Sequence, residues 1–139
     1  DVYKRQNNLH ILPLICYEII FPELTQKANK KTNLIVNISE DGWFGDSIGP
    51  YQHFSHSVFR SIEEGKTLIR SSNNGISAFL NHKGQVIDKN LTTEKGFIEI
   101  NSFKRSKNTI FSSNGNKIFF YFLFIYISLI FFFKIRGNQ

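Results

Sequence analysis

One stretch limits what this chain can become more than any other: Ile118 to Phe133, IFFYFLFIYISLIFFF. Its sixteen residues hold no charge, glycine or proline, and Ser128 is their only small polar side chain. Lys117 and Lys134 bracket the run. With Ile135 and the apolar stems of the flanking lysines it covers about 18 residues, roughly 27 Å as a helix. That length is just enough to cross a bilayer core of about 30 Å. A helix apolar on every side cannot lie on a protein surface as an ordinary amphipathic element. The competing reading is a helix or strand pair buried in a large core, and the 117 residues before the run are too few to wrap it. Its place late in the chain separates it from a signal peptide.

The run also explains the charge. The formal net charge is +6, which invites a nucleic-acid reading. Residues 1–99 carry eleven basic and eleven acidic side chains, so they are neutral. The excess comes from Lys104, Arg105, Lys107, Lys117, Lys134 and Arg136, which flank the apolar run. Basic residues beside a membrane span can meet anionic headgroups, or be merely solvated. A neutral body without a basic aromatic surface pattern argues against nucleic acid as a partner. One cysteine, Cys16, excludes an internal disulfide framework and a multi-cysteine zinc site. Methionine is absent, so the chain is expected to be a piece of a longer one.

Residues 1–8 open with DVYKRQ, which fits neither a strand nor a helix start, and are read as a non-native or unstructured N-terminus. Leu9–Ile15 is an apolar run with β-branched members and reads as a buried strand. Pro22 suits the first turn of a helix running to about Lys30. Asn33–Ser39 reads as a second buried strand, and Glu40–Pro50 as a loop rich in Gly and Asp. Tyr51–Glu64 places Phe54, Val58, Phe59 and Ile62 at helical spacing and stops at Gly65. Thr67–Ser71 is a third strand. Asn73-Asn74-Gly75 turns into Ile76–Leu80, and Asn81–Gly84 turns into Gln85–Ile87. Gly96–Ile100 is read as a last strand. Strand–helix–strand–helix–strand with a hairpin appended predicts an α/β layered domain over residues 9–103. A basic linker, 104–117, then leads to a transmembrane helix over 118–135.

Cys16 stands where a buried strand gives way to a helix. Such a junction can expose a side chain at the carboxyl edge of a sheet, facing backbone N–H groups that favour a thiolate nucleophile. A lone cysteine is more often a small buried hydrophobe, and position alone leaves both readings open. Glu18 alone is read as a solvated helix-start carboxylate. Trp43, the only tryptophan, sits between glycines in Glu40-Asp41-Gly42-Trp43-Phe44-Gly45-Asp46. It is either the aromatic anchor of a turn or part of a flap over an apolar cleft. His53 and His56 stand at i, i+3, a spacing that can hold a metal. No carboxylate or cysteine completes a set nearby, so core or surface histidines are the simpler reading and no metal is expected. Arg60 and Arg70 could bind anions or hold buried ion pairs.

Three blocks, in order and spacing, resemble one family. Ile15-Cys16-Tyr17-Glu18-Ile19 resembles the nucleophile strand of the carbon–nitrogen hydrolase (nitrilase) superfamily. Trp43-Phe44-Gly45-Asp46-Ser47-Ile48-Gly49-Pro50 followed by Gln52-His53-Phe54, and Arg70-Ser71-Ser72-Asn73-Asn74-Gly75, resemble more narrowly the apolipoprotein N-acyltransferases. A terminal membrane span agrees with that family and not with soluble nitrilases. Two departures stand out: Glu40-Asp41-Gly42 where the family usually shows Asn-Asp-Ala, and Tyr51 where Trp is usual.

The resemblance implies a partial nitrilase-like αββα sandwich followed by one C-terminal transmembrane helix. It implies a bacterial inner-membrane enzyme with its catalytic domain facing the periplasm and no cofactor. Such an enzyme moves an acyl chain from a phospholipid donor, through a cysteine thioester, to the amine of a diacylglyceryl apolipoprotein acceptor. It further implies Cys16 as nucleophile, Tyr17 and Glu18 acting beside it, and Trp43, Phe44 and Asn74 as substrate-binding residues. The backbone N–H of Tyr17 would help an upstream lysine hold the oxyanion. The family's glutamate base and its lysine lie upstream of the part matched here. Glu23, Glu40, Glu63 and Glu64 do not match the glutamate's motif, so this stretch alone is expected to be inactive. Four basic residues before the span and two after would by themselves put the domain in the cytoplasm. Upstream membrane helices of the kind the resemblance implies would override that count. A membrane-tethered amidase and a non-catalytic anchored domain are the competing readings.

Overall fold

The computed structural model describes residues 4–6, 9–28, 32–91, 96–100 and 108–137. Six strands form one mixed sheet in the order β1 (Lys4–Gln6), β2 (Leu9–Ile15), β3 (Leu34–Glu40), β4 (Thr67–Asn73), β5 (Ile76–Leu80) and β6 (Val86–Leu91). β2, β3 and β4 run parallel, with Leu12 opposite Ile35 and Ile35 opposite Leu68. α1 (Pro22–Ala28) and α2 (Gly49–Glu64) make the two crossovers. β5 and β6 return antiparallel as the expected hairpin, turning through Gly84 at φ 76°. This is the strand–helix alternation the hydrophobic pattern requires, because parallel neighbours need a crossover element between them.

Both crossover helices pack on one face of the sheet. Leu12, Leu14, Ile35, Leu68 and Leu80, with Ile19, are fully buried there, and Leu24, Phe54 and Val58 pack against them. Side chains alternate across a strand, so Ile15 and Ile38 point to the opposite face, where each is more than half exposed. The described residues thus form one β layer carrying one α layer, half of the αββα layering expected. α2 begins two residues earlier than its spacing predicts, with Pro50 in the first turn, and ends at Gly65 in the left-handed region (φ 63°).

Three local readings need correction. Lys4–Gln6 pairs antiparallel with Leu9–Ile11 as an edge strand, although its polar sequence gave no strand signal. Backbone pairing to a ready edge does not require an apolar face. Gly96–Ile100 carries no strand, because its alternating apolar residues find no ladder partner. The second hairpin strand instead extends to Leu91. The end of the first helix beyond Ala28, and Lys104, Arg105 and Lys107 of the linker, lie outside the described residues.

The linker region also holds an unexpected short helix, α3 (Ile110–Asn114), capped by Thr109, whose hydroxyl accepts from the Ser112 N–H at 2.9 Å. It is tied to the end of α2. The Lys66 ammonium, nearly buried, donates to Asn108 Oδ1 at 2.7 Å, and the Thr109 hydroxyl donates to the Glu63 carbonyl. From this anchor α4 (Lys117–Gly137) projects away. Within Lys117–Arg136 an 18-residue window has a mean hydropathy of 2.4 and none of it is buried, so the helix is long and apolar enough to cross a membrane.

The core makes a direct prediction. Leu68 is fully buried on the central strand, whereas its neighbour Ile69 is only half-buried. Leu68→Ala should destabilise the domain by about 2–5 kcal/mol, and Ile69→Ala by clearly less. Urea unfolding of the detergent-solubilised chain, followed by circular dichroism, measures both.

Candidate active site

β2, β3 and β4 all end at one edge of the sheet, and that edge gathers the residues singled out above. Cys16 follows β2 directly and opens a 3₁₀ turn, Cys16–Ile20. Its φ is +49°, a left-handed conformation that costs a non-glycine residue about 1–2 kcal/mol. The turn lifts the half-buried thiol off the strand in the manner of a nucleophile elbow. The exposed Glu18 closes the turn, its Oε2 accepting the Ile15 N–H at 2.7 Å. Asn37, one strand over, donates through Nδ2 to the carbonyls of Leu14 (3.1 Å) and Cys16 (3.2 Å).

Beneath the edge lies a buried polar network. Arg70, fully buried on β4, donates from Nη2 to both oxygens of Asp41, at 3.0 and 2.8 Å. Its Nη1 donates to Asn37 Oδ1 and, at 3.3 Å, to Ser57 Oγ. Asp41 Oδ1 also lies 2.8 Å from Ser39 Oγ and 2.9 Å from His53 Nδ1. Two lone pairs would repel at that distance, so the network assigns the proton to Nδ1, which donates to the carboxylate. Ser39 Oγ in turn stands 3.8 Å from Cys16 Sγ. Burial pushes Asp41 up, but the hydrogen bonds and charge of Arg70, with those of Ser39 and His53, outweigh it. The carboxyl is held below its ordinary range and stays ionised.

The aromatic residues cover this network. The His53 ring lies between Tyr17 (centroids 5.3 Å) and Phe44 (5.7 Å, edge-on). The three line a cleft of about 270 Å³ together with Gln52, His56 and Phe59. Phe44 sits on the 3₁₀ turn Gly42–Phe44 just past β3. Trp43, on the same turn, is 87% exposed and touches none of these groups in a ring contact, so it is not an anchor for the turn. Asn74 occupies the β4–β5 turn at φ +53° and donates to Glu40 Oε1 at 3.5 Å. Glu40 also takes the Asn73 side chain and the Gly42 N–H, which hold its carboxyl below the ordinary value. Asn74 and the Gly42 turn line a second cleft of about 460 Å³ with Asp46, Pro50 and Tyr51. Cys16, Tyr17, Phe44 and the network therefore meet, whereas Asn74 stands to one side and Trp43 faces solvent.

Of the residues left open on sequence grounds, Arg70 holds a buried ion pair and His53 is a network member. No group able to hold a metal occurs among the described residues. Asn37, Ser39 and Asp41 were given no role in a site on sequence grounds. The signal for the first two was period two: residues 37 and 39 share the face of β3 that Ile35 buries, and Asp41 stands just past the strand's end.

Comparison with known proteins follows the same strands. Residues 7–102 match the carbon-nitrogen hydrolase family model. The chain belongs to this family. Curated relatives named apolipoprotein N-acyltransferase include one from Rickettsia bellii (strain RML369-C), 42% identical over 91% of this chain and 26% of its own length. Another, from Wigglesworthia glossinidia brevipalpis, is 39% identical over 98% of this chain and 28% of its own length. This family member spans about a quarter of the length of those relatives. Among solved structures, a cysteine-to-alanine mutant of the Nesterenkonia AN1 amidase, described as from the nitrilase superfamily, superposes with a TM-score of 0.53. It is 18% identical, over 66% of this chain and 37% of the amidase, and shows the shared fold.

Removing Arg70 would strand a buried carboxylate. Arg70→Met should cost about 3–5 kcal/mol at neutral pH. Asp41 titrates lower in the folded state, so its stabilisation is complete above the ordinary aspartate pKa and drains as pH falls through the lower native value. The melting temperature should therefore drop on acidification below about pH 4 in the parent protein. Arg70→Met should show a shallower drop over the same window, and a melting series from pH 2 to 7 tests both.

Proposed function

We propose that this chain is the catalytic-cysteine segment of an apolipoprotein N-acyltransferase, carrying a phospholipid's acyl chain on Cys16 before passing it to a lipoprotein amine. The observation that carries this reading is the extent of the likeness. The Wigglesworthia relative aligns over 98% of the chain, a span that necessarily includes most of α4 as well as the Cys16 turn. An apolar helix beside a cysteine domain suits a reaction whose donor is a membrane lipid.

The chemistry follows from the thiol. The Cys16 sulfur, as thiolate, attacks the ester carbonyl of the phospholipid. The ester C–O bond breaks, and the lysophospholipid oxygen leaves with a proton. A thioester remains, activated because a thiolate is a good leaving group. The lipoprotein's α-amine then attacks the thioester carbonyl and loses a proton to a base as the C–S bond breaks, returning the thiolate. The Tyr17 N–H supports the oxyanion at each stage, and Tyr17 and Glu18 shape the turn that presents the sulfur. Trp43 and Phe44 offer apolar surface to an acyl chain, with Asn74 at the margin of the neighbouring cleft. The reaction needs no cofactor. The base and the second oxyanion donor, a glutamate and a lysine in this reading, come from outside these residues, so the isolated chain should not turn over. α4 spans the bacterial inner membrane, with the domain on the periplasmic side.

Intact cells expressing the full-length gene product and fed an alkyne-bearing phospholipid should show a hydroxylamine-sensitive acyl label on Cys16. Cys16→Ala should lose the label and reduce lipoprotein acylation by about 10³-fold or more. Undiminished acylation in that variant would overturn the nucleophile. No label, with hydrolysis of a small amide instead, would make the protein a membrane-tethered amidase. Protease added to spheroplasts should cleave within residues 1–100; protection would place the domain in the cytoplasm.

A further inference from the structure

We propose that Ser39 is a positioning residue for the Cys16 sulfur, a hydroxyl that turns its one O–H between Asp41 and the thiolate as the sulfur changes state. The inference rests on the reading of Cys16 as nucleophile and adds a residue to it. Ser39 is 6% exposed, and its Oγ lies 2.8 Å from Asp41 Oδ1, 3.5 Å from His53 Nδ1 and 3.8 Å from Cys16 Sγ. A hydroxyl has one hydrogen to donate and lone pairs to accept with. The short contact to an ionised carboxylate takes that hydrogen in the resting state. The longer contact, in which the hydroxyl would donate to the sulfur, is then left unfilled until the O–H turns.

Once the sulfur is a thiolate it can only accept. Ser39 then has a reason to rotate, turning its O–H from Asp41 to the sulfur. The rotation costs Asp41 little, because Oδ1 keeps Arg70 Nη2 at 3.0 Å and His53 Nδ1 at 2.9 Å, and Oδ2 keeps Arg70 at 2.8 Å. When the sulfur is acylated it carries neither charge nor hydrogen, and the hydroxyl returns to the carboxylate. No bond to Ser39 forms or breaks. The surrounding network is what makes this possible: a serine facing a lone, poorly satisfied aspartate would be held there. The backbone supports the same geometry, since Asn37 ties the Cys16 carbonyl to β3 two residues before Ser39.

The test reads the thiol and not the lipid reaction. In the full-length gene product in detergent, alkylation of Cys16 by iodoacetamide is followed by mass spectrometry of the 6–27 tryptic peptide across pH 6–9. Ser39→Ala should slow alkylation at pH 7 about tenfold, the worth of one hydrogen bond of ~1.4 kcal/mol, with the melting temperature within a few degrees of the parent. The isosteric pair Ser39→Thr and Ser39→Val asks the same question should the alanine variant fold poorly. Threonine keeps the hydroxyl and should react within about threefold of the parent, whereas valine should fall with alanine. Parent-like alkylation in both hydroxyl-free variants would overturn the proposal. So would equal slowing in threonine and valine. Alkylation requires neither phospholipid nor apolipoprotein, so its outcome separates from that of the acyl-transfer test. A failed lipid label with slowed alkylation would remove the acyl donor and leave Ser39 in place.

Discussion

The Arg70–Asp41 ion pair is the constraint on which the rest of the site depends. A guanidinium and a carboxylate, both fully buried, are tolerated only when nearly every donor and acceptor is used. Arg70 reaches Asn37 and Ser57 with its second nitrogen, and Asp41 takes Ser39 and His53 on its first oxygen. These bonds clamp β3 to β4 and to α2 just beneath the edge where Cys16 turns. Gly75 belongs to the same clamp: a Cβ there would run into the Asp41 carboxylate and the Ser72 hydroxyl. The Asn73-Asn74-Gly75 turn therefore needs its glycine for space.

The clamp gives the strained cysteine something rigid to be strained against. A left-handed residue at the end of a strand persists only where its surroundings over-determine it. Here the Ile15 N–H is held by Glu18, and the Cys16 carbonyl by Asn37, which Arg70 holds in turn. Glu18 is thus the group that closes the turn at Cys16. The departures at Glu40 and Gly42 lie on the rim and not in the clamp. Glu40 gathers Asn73, Asn74 and the Gly42 N–H into an exposed cluster, leaving Asp41 free to point inward.

A second, separate anchor joins the domain to α4. Glu64, fully buried, accepts from Thr25 at 2.8 Å, and burial raises its pKa above the ordinary value. Lys66 beside it is lowered by the same burial and reaches Asn108. Neither residue was given a structural role from the sequence, because a Glu and a Lys near a helix end read as solvated. They became buried only because α1 and α3 close over the last turn of α2.

Much of the fold is legible in the amino-acid sequence. Alternation of β-branched runs with helical spacing specifies parallel strands and their crossovers, since a buried strand and an amphipathic helix differ in period. The apolar run from Ile118 to Phe133 specifies a helix with no polar face. The position of Cys16 between strand and helix specifies where a thiol would emerge. What the sequence could not decide was partnership across the sheet. Asp41, Ser39, His53 and Arg70 are spread over about thirty residues of chain, and only the parallel register, Asn37 beside Arg70, brings them together. Lys4–Gln6 gained a strand and Gly96–Ile100 lost one for the same reason: a ladder depends on the neighbour that is present in space. Local composition determines what each segment is able to form, but hydrogen bonds between distant segments decide which polar groups are buried together, and in this protein those groups surround the thiol.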